Sequence, residues 1–116
     1  MDFSLTPELE DIRVRTRRFV EEHVLPLEAD RANFDDHENL RLDVLRGLQA
    51  KARAQGLWAP QAPKEYGGLA LPIVGWAVMY EEANRSIFGP LAFNCQAPDD
   101  GNMNLLALTG TKAQKD

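Results

Sequence analysis

The sequence predicts an all-α fold. Apolar residues recur at steps of three and four along several segments, which is the period of one face of an α-helix. No segment alternates between apolar and polar residues over enough positions to indicate a β-strand. The 116 residues, 44% of them apolar, suit one globular domain at most. We therefore expect a bundle of about six helices joined by short loops, with one long ordered loop rich in proline and glycine.

The first predicted helix begins at Pro7. Thr6 is a good N-cap, and proline suits the first helical position because its missing N–H needs no partner there. Pro26 interrupts the apolar stripe, and residues 27–34 are predicted to form a short second helix with an acidic surface. The stripe itself comprises Leu9, Ile12, Thr16, Phe19, Val20 and His23.

A basic cluster lies within this first helix. At helical spacing its arginines spread over more than one face, and glutamates flank them, so a solvated helix surface is predicted. The cluster comprises Arg13, Arg15, Arg17 and Arg18.

Two further helices are predicted in the middle of the chain. Asn39 can cap the third helix, and Gly56 is its expected stop. Pro72 can open the fourth helix. The third stripe comprises Leu42, Leu45, Leu48 and Ala52, and the fourth apolar face comprises Ile73, Trp76, Ala77, Tyr80 and Ala83.

The last third of the sequence predicts short helices. Gly89 and Pro90 break the pattern, and residues 91–95 resume it as a short apolar helix. Residues 97–101 form a turn whose aspartates can cap the next helix, which runs to Gly110. Thr111 and Gln114 then have the spacing of a capping box, which announces another helix. Because the sequence stops before that helix completes two turns, we expect a longer ancestral chain.

Residues 56–68 form the long predicted loop between two helices. Its prolines block regular structure, and the Gly67-Gly68 pair permits backbone conformations that other residues avoid. We expect Glu65 to accept backbone N–H bonds, and we expect Tyr66 to pack beneath the loop with its hydroxyl bonded to backbone. Glu65, Tyr66, Gly67 and Gly68 are thus predicted to shape the loop rather than to perform chemistry.

Two motifs carry a resemblance to a known family. A helix ends in Gly-Leu at 56–57, Pro-Lys-Glu-Tyr-Gly-Gly follows at 63–68, and another helix comes next. Near the C-terminus, Gly-Thr-x-x-Gln-Lys stands at 110–115. In this order and at this distance, the motifs resemble the N-terminal helical domain of acyl-CoA dehydrogenases. The resemblance covers residues 3–115 and implies that residues 1–116 form such a domain, without the family's β-domain and C-terminal helical domain.

The resemblance implies a chemistry whose reacting groups lie outside this sequence. Family members use FAD to oxidise the Cα–Cβ bond of acyl-CoA thioesters, with a carboxylate base in the C-terminal domain and most flavin contacts in the other two domains. No catalytic residue is therefore assigned here, and the chain alone is expected to bind no FAD. Glu81 and Glu82 resemble an acidic pair of the family, and we expect one to pair locally and the other to be solvated.

By position in the family, four residues are candidates for the walls of the acyl pocket: Tyr80, Phe93, Asn94 and Cys95. Aromatic and small residues on a helix face suit an apolar tunnel. Ordinary core packing is the alternative for all four. Asn94 stands out because a buried amide needs a hydrogen-bond partner, either on an acyl chain or at a helix end.

Composition and spacing argue against other classes of site and partner. The net charge of −5 disfavours nucleic acid and anionic membranes, and no apolar run approaches the ~20 residues of a membrane span. His23 and His37 lack metal-ligand spacing, so no metal site is predicted. Cys95 is the single cysteine, which excludes an internal disulfide and fits a reducing compartment. We expect a cytoplasmic protein, and Met1 argues against a removed import peptide.

Two functional hypotheses follow. In the first, the chain is the N-terminal domain of an acyl-CoA dehydrogenase-like oxidoreductase, supplies acyl-pocket walls and a domain interface, and is inactive alone. Acyl-CoA is then the substrate only of the complete enzyme. In the second, the chain is a stand-alone helical interaction module. An isolated copy exposes the apolar side that normally packs against the other domains, and self-association as a symmetric dimer covers it.

Overall fold

The computed structural model describes residues 2–116, and its helices confirm the all-α prediction. In that range seven α-helices are present: α1 (Pro7–Phe19), α2 (Leu25–Ala29), α3 (Leu42–Ala54), α4 (Ile73–Ala83), α5 (Gly89–Phe93), α6 (Asp99–Thr109) and α7 (Lys112–Lys115). A π-helical segment, Val20–Val24, joins α1 to α2, and 3₁₀ turns lie at Arg31–Asn33 and Lys64–Tyr66. The described residues form no strand, and their one isolated bridge pairs Phe34 with Leu40.

The core lies where α1 packs on α4 and α3 packs on α5. Phe19 of α1 meets Phe93 of α5 with ring centroids 5.1 Å apart. The long loop adds a second small cluster, formed by Trp58, Ala59 and Ala62. The other fully buried core side chains include Val20, Val24, Leu48, Ala52, Leu57, Met79, Ala83 and Ala92.

The start of α1 was predicted correctly, but its end was not. The Thr6 hydroxyl accepts a hydrogen bond from the Leu9 N–H at 3.4 Å, and Pro7 is the first helical residue. Helical backbone then continues past Pro26, because the preceding π turn, in which the Leu25 N–H donates to the Val20 carbonyl, places the proline in the first turn of α2.

The predicted second helix over residues 27–34 is wrong. The helix ends at Ala29, where Asp30 becomes extended and its carboxylate accepts the Ala32 N–H at 3.0 Å. This side-chain bond starts a separate 3₁₀ turn.

The predicted Asn39 cap of α3 is also wrong. Arg41 occupies the N-cap position without a side-chain cap bond. Asn39 instead donates its N–H to the Asp35 carboxylate at 3.0 Å, as part of the loop that precedes the Leu40 bridge.

The predicted apolar face of α4 is rotated from the observed one. Ile73 and Ala77 are exposed, whereas the buried residues are Gly75, Val78, Met79, Glu82 and Ala83. A hydrophobicity pattern misses this face because it contains a glycine and a glutamate. Gly75 allows close approach, since a Cβ there would lie 3.0 Å from Leu71 and 3.1 Å from Leu9.

Near the C-terminus the predicted order of elements is correct, with shifted bounds. The helix predicted at 91–95 spans Gly89–Phe93, because Pro90 is accommodated in its first turn. In α6, Pro98 holds the N-cap position, so Asp99 and Asp100 lie inside the first turn rather than before it. The capping box of α7 is confirmed, with the Thr111 N–H donating to Gln114 Oε1 at 2.9 Å.

Candidate functional site

The long loop is organised by hydrogen bonds between its own backbone groups. The Ala59 carbonyl accepts N–H groups from Ala62 and Leu69, both at 3.1 Å, and this pairing closes the loop on itself. Gly67 has a left-handed φ of 82°. Gly68 is buried, and a Cβ on it would lie 2.1 Å from the Ala62 carbonyl oxygen. Gly67 is therefore required by the left-handed backbone, and Gly68 is required because there is no space for a Cβ.

The other two loop candidates, Glu65 and Tyr66, lie at the surface. Glu65 is exposed, and Tyr66 is 44% exposed with its ring on the wall of an open groove. Desolvation and the nearby carboxylates of Glu65 and Asp116 raise the pKa of Tyr66. Among the described residues, neither the predicted backbone bond of the Tyr66 hydroxyl nor the predicted bonds to Glu65 are present.

That groove lies between the loop and the last two helices. Its volume of about 190 Å³ is below the range of about 300–1,000 Å³ typical of ligand pockets. None of the four predicted acyl-pocket residues lines it. Its walls are Trp58, Ala59, Ala62, Pro63, Tyr66, Met103, Leu106, Ala107 and Lys115.

Two of the four acyl-pocket candidates meet at the start of α6. The half-buried Tyr80 donates its hydroxyl to Asp100 Oδ2 at 3.1 Å, and Asp100 Oδ1 accepts the Gly101 N–H at 2.7 Å. Cys95 is 3% exposed, and burial together with the Asp100 carboxylate raises the pKa of its thiol to about 12. Burial also raises the pKa of Tyr80. Both groups are therefore neutral near pH 7, and Cys95 is not an activated nucleophile.

The other two candidates lie at the C-terminal end of α5. Phe93 is fully buried against Phe19. Asn94 is left-handed, with φ 54° and ψ 49°, and its amide donates to the Met103 sulfur at 3.4 Å. Tyr80 and Asn94 thus contact α6 through Asp100 and Met103, and Cys95 lies near Asp100, whereas Phe93 is directed into the core against α1. Sequence reasoning missed Asp100 and Gln61, which contact Tyr80 and Asn94, because neither has a local motif.

The acidic pair of α4 separates as expected into a solvated and a paired member, and the paired one has distant partners in addition to the local Arg85, which lies 4.0 Å away. Glu81 is exposed, whereas the Glu82 side chain is 3% exposed and accepts two hydrogen bonds from Arg17, at 2.9 and 2.6 Å. Arg13 lies 3.5 Å away. These arginines, chiefly Arg17, lower the pKa of Glu82. The prediction of a wholly solvated arginine cluster is therefore wrong, since two of its members hold α1 against α4.

The described side chains include no group of three or more potential metal ligands. Within residues 2–116, no helix is both long enough and apolar enough to cross a bilayer.

Comparison with known proteins decides the family. Residues 6–116 match the family model described as the acyl-CoA dehydrogenase N-terminal domain. The chain belongs to the acyl-CoA dehydrogenase family. A solved structure from Mycobacterium abscessus, described as that of a candidate acyl-CoA dehydrogenase, superposes with a TM-score of 0.80 at 32% identity, and the match covers 97% of this chain and 30% of that one.

Among curated relatives, the chain is 33% identical to human acyl-CoA dehydrogenase family member 11, over 97% of its own length and 15% of that protein's. It is 34% identical to mouse family member 10, over 96% of its own length and 11% of that protein's. The chain thus spans only a small part of the relatives it matches. These matches identify it as the family's N-terminal domain and give no support to a stand-alone interaction module.

Proposed function

We propose that residues 1–116 serve as the N-terminal domain of a complete FAD-dependent enzyme that oxidises the Cα–Cβ bond of acyl-CoA thioesters. The proposal rests on the exposure of apolar residues in α6. None of its 11 residues is buried. Five of its last seven residues are nevertheless apolar: Met103, Leu105, Leu106, Ala107 and Leu108. The apolar residues in the second half of α6 point in several directions, and such an exposed apolar surface normally packs against another domain or protein. The surface of α6 is thus where the β-domain and C-terminal domain pack.

The acyl pocket then forms beside the junction of α4, α5 and α6. Tyr80, Phe93, Asn94 and Cys95 border this junction and supply aromatic, amide and thiol groups with no net charge near pH 7. A neutral, mostly apolar wall suits an acyl chain. The chain has no assigned catalytic base, so the proposal includes inactivity of the isolated domain.

FAD belongs to the assembled enzyme in this proposal. The groove beside the loop is smaller than a typical ligand pocket, and the chain alone is expected to hold no flavin. The loop residues Glu65, Tyr66, Gly67 and Gly68 keep a structural role. A free buried thiol at Cys95 fits a reducing compartment, and we place the enzyme in the cytoplasm.

Visible absorbance tests the expectation that the isolated chain binds no FAD. The purified chain is incubated with FAD, free flavin is removed, and the spectrum is recorded. A colourless protein is expected, and acyl-CoA with an electron acceptor should then give no turnover. Flavin retained near one equivalent would contradict the proposal, because this domain would hold the cofactor unaided.

A hybrid enzyme tests the domain role directly. The chain replaces the matching 30% of the Mycobacterium abscessus protein, and acyl-CoA-dependent reduction of an electron acceptor is measured. We expect activity in the hybrid and its loss when Leu105 and Leu108 become lysine. These side chains are 62% and 84% exposed here, so the same pair should leave the isolated domain's unfolding free energy within about 0.5 kcal/mol. An active lysine hybrid would exclude α6 from the interface.

A further inference from the structure

The C-terminal end of α5 is held by groups from other elements. A helix of five residues leaves its last carbonyls without partners inside the helix. Here the Leu91 carbonyl accepts Gln49 Nε2 at 3.1 Å, the Phe93 carbonyl accepts the Ala59 N–H at 2.8 Å, and the Asn94 carbonyl accepts Gln61 Nε2 at 3.2 Å. Two of these donors come from the long loop, so the loop reinforces the local bonds that end α5, from the Asn94 N–H to Leu91 and from the Cys95 N–H to Pro90.

Gln61 is the side chain that makes this contact specific. It is 6% exposed, and its Oε1 has no hydrogen-bond partner among the described residues. Reversing the amide would place Oε1 against the Asn94 carbonyl oxygen, which is an acceptor as well. The orientation of the buried amide is therefore set by its bond to Asn94, and the oxygen is left unpaired as a consequence of that bond.

Asn94 has a left-handed backbone, which most residues with a side chain disfavour but which asparagine tolerates well at helix ends. The bond from Gln61 therefore adds to a turn that asparagine can already adopt. The conformation turns the chain out of α5 and directs the Asn94 amide to the Met103 sulfur on α6, and Cys95 lies near enough to Asp100 for that carboxylate to raise the pKa of its thiol. Among the described residues, the other hydrogen bond between the loop and this turn runs from the Ala59 N–H to the Phe93 carbonyl.

We propose that Gln61 is a positioning residue for the acyl-pocket wall. Through the Asn94 carbonyl it holds the 93–95 turn in the geometry that presents Asn94 and Cys95 toward α6 and keeps Phe93 packed on Phe19 of α1. The pocket assignment rests on the proposed function, whereas the action of Gln61 on the turn is a property of this chain alone. The two can therefore fail separately.

Amide hydrogen exchange of the 116-residue chain tests the action of Gln61. The Ala59 N–H reports the loop–α5 bond directly, and the Cys95 N–H, which donates to the Pro90 carbonyl at 3.0 Å, reports the turn. In Gln61→Met, which keeps length and burial but has no donor, both amides should exchange roughly tenfold faster, the factor for loss of one hydrogen bond. Gln55→Met, at an exposed glutamine that ends α3, is the matched control and should leave both rates unchanged.

Gln61→Met removes the unpaired Oε1 as well as the donor, so its effect on global stability can be separated from its effect on the turn. The urea midpoint of global unfolding should therefore stay the same or rise while local protection at Ala59 and Cys95 falls. A merely structural role predicts the opposite pattern, in which all core amides lose protection in proportion to the midpoint. That pattern, or unchanged rates at the two amides, would overturn the proposal.

Rescue by Gln61→Glu supplies a second, independent readout. The carboxyl introduced by this substitution can donate to the Asn94 carbonyl when it is protonated, whereas the carboxylate form is an acceptor and is repelled. Between pH 3 and 8, a range that includes the ordinary glutamate pKa of about 4.3 and the higher value that burial favours, protection of the Ala59 amide after correction for intrinsic exchange should be native-like at the acid end and fall as the introduced carboxyl ionises. The wild-type protein should show no such change. A flat profile in the variant would refute the donor role of Gln61. If instead the profile is as expected and the hybrid enzyme is inactive, the positioning stands and the proposed function fails.

Discussion

At the scale of single residues, Glu82 joins α4 to α1 through ion pairs with Arg13 and Arg17. It is buried and charged, and it accepts both hydrogen bonds of the Arg17 guanidinium. Such a two-point contact is stronger than a single bond between neutral groups. Because the arginines remain partly exposed, they can be hydrated when the carboxylate is lost.

We predict that Glu82→Gln lowers the free energy of unfolding by about 1.5–3 kcal/mol, the value of hydrogen bonds to charged groups. Urea unfolding followed by circular dichroism measures it. Glu81→Gln is the control, because Glu81 is exposed on the same helix and its replacement should stay within about 0.5 kcal/mol. Equal losses in the two variants would show that burial and pairing of Glu82 do not matter.

The same carboxylate predicts a dependence of stability on pH. Its arginine partners lower the pKa of Glu82 in the folded state, so the unfolded chain binds more protons at acid pH and stability rises with pH. The contribution is complete above the unfolded pKa of about 4.3 and is lost as pH falls through the lower folded pKa. The difference in urea midpoint between wild type and Glu82→Gln should therefore be constant from pH 6 to 8 and shrink below about pH 4.3. A difference that grows toward acid pH would reverse the assigned sign.

The two loop glycines give a further residue-scale prediction. Gly68→Ala should destabilise by about 2–3 kcal/mol, because the new Cβ meets a backbone oxygen that cannot move freely. Gly67→Ala should cost about 1–2 kcal/mol, from the left-handed backbone alone. Gly47→Ala, in open space on α3, should stabilise by about 0.5–1 kcal/mol. Thermal unfolding ranks the three variants, and a Gly68 variant as stable as the Gly47 variant would contradict the described loop.

At the scale of elements, sequence prediction succeeded where local chemistry decides the structure. Thr6 with Pro7, and Thr111 with Gln114, are short-range signals, and both helices begin where these signals place them. Prediction failed at Asn39, whose backbone instead exchanges hydrogen bonds with Asp35, four positions before it, in a turn that has no distinctive motif.

The buried face of α4 was predicted wrongly because distant partners determine it. Its buried Glu82 and Gly75 contact side chains of α1 that lie more than 60 positions away in sequence. A pattern that ranks residues by hydrophobicity alone therefore rotates the predicted face toward Ile73 and Ala77, both of which are exposed.

The candidate site is also a product of tertiary contacts. The four wall residues were found because the family resemblance assigns a position to them. Their partners Asp100 and Gln61 were not found, since a turn aspartate and a loop glutamine carry no distinctive pattern of their own. Only the fold reveals that Asp100 receives the Tyr80 hydroxyl and that Gln61 binds the Asn94 carbonyl.

At the scale of the whole molecule, the domain divides into a packed body and a weakly attached end. The body consists of α1 packed on α4 and α3 packed on α5. The core of this body contains fully buried side chains. By contrast, α6 has no buried residue, and its main helix contact is with the four-residue α7. The side-chain hydrogen bonds that tie α6 to the body run from Tyr80 to Asp100 and from Asn94 to Met103.

This division predicts an order of opening in the isolated chain. Stability is not uniform within a protein, and elements with few buried contacts open first. We expect the α6 amides of Leu105 and Leu106 to exchange at least about 100-fold faster than those of Val20 and Ala83, after correction for intrinsic rates. Native-state hydrogen exchange by NMR measures all four. In the hybrid enzyme, where the other domains cover α6, the same α6 amides should gain protection while the core pair changes little. Equal protection of α6 and the core in the isolated chain would mean that α6 is already stabilised without a partner. That result would contradict an interface with other domains on this helix.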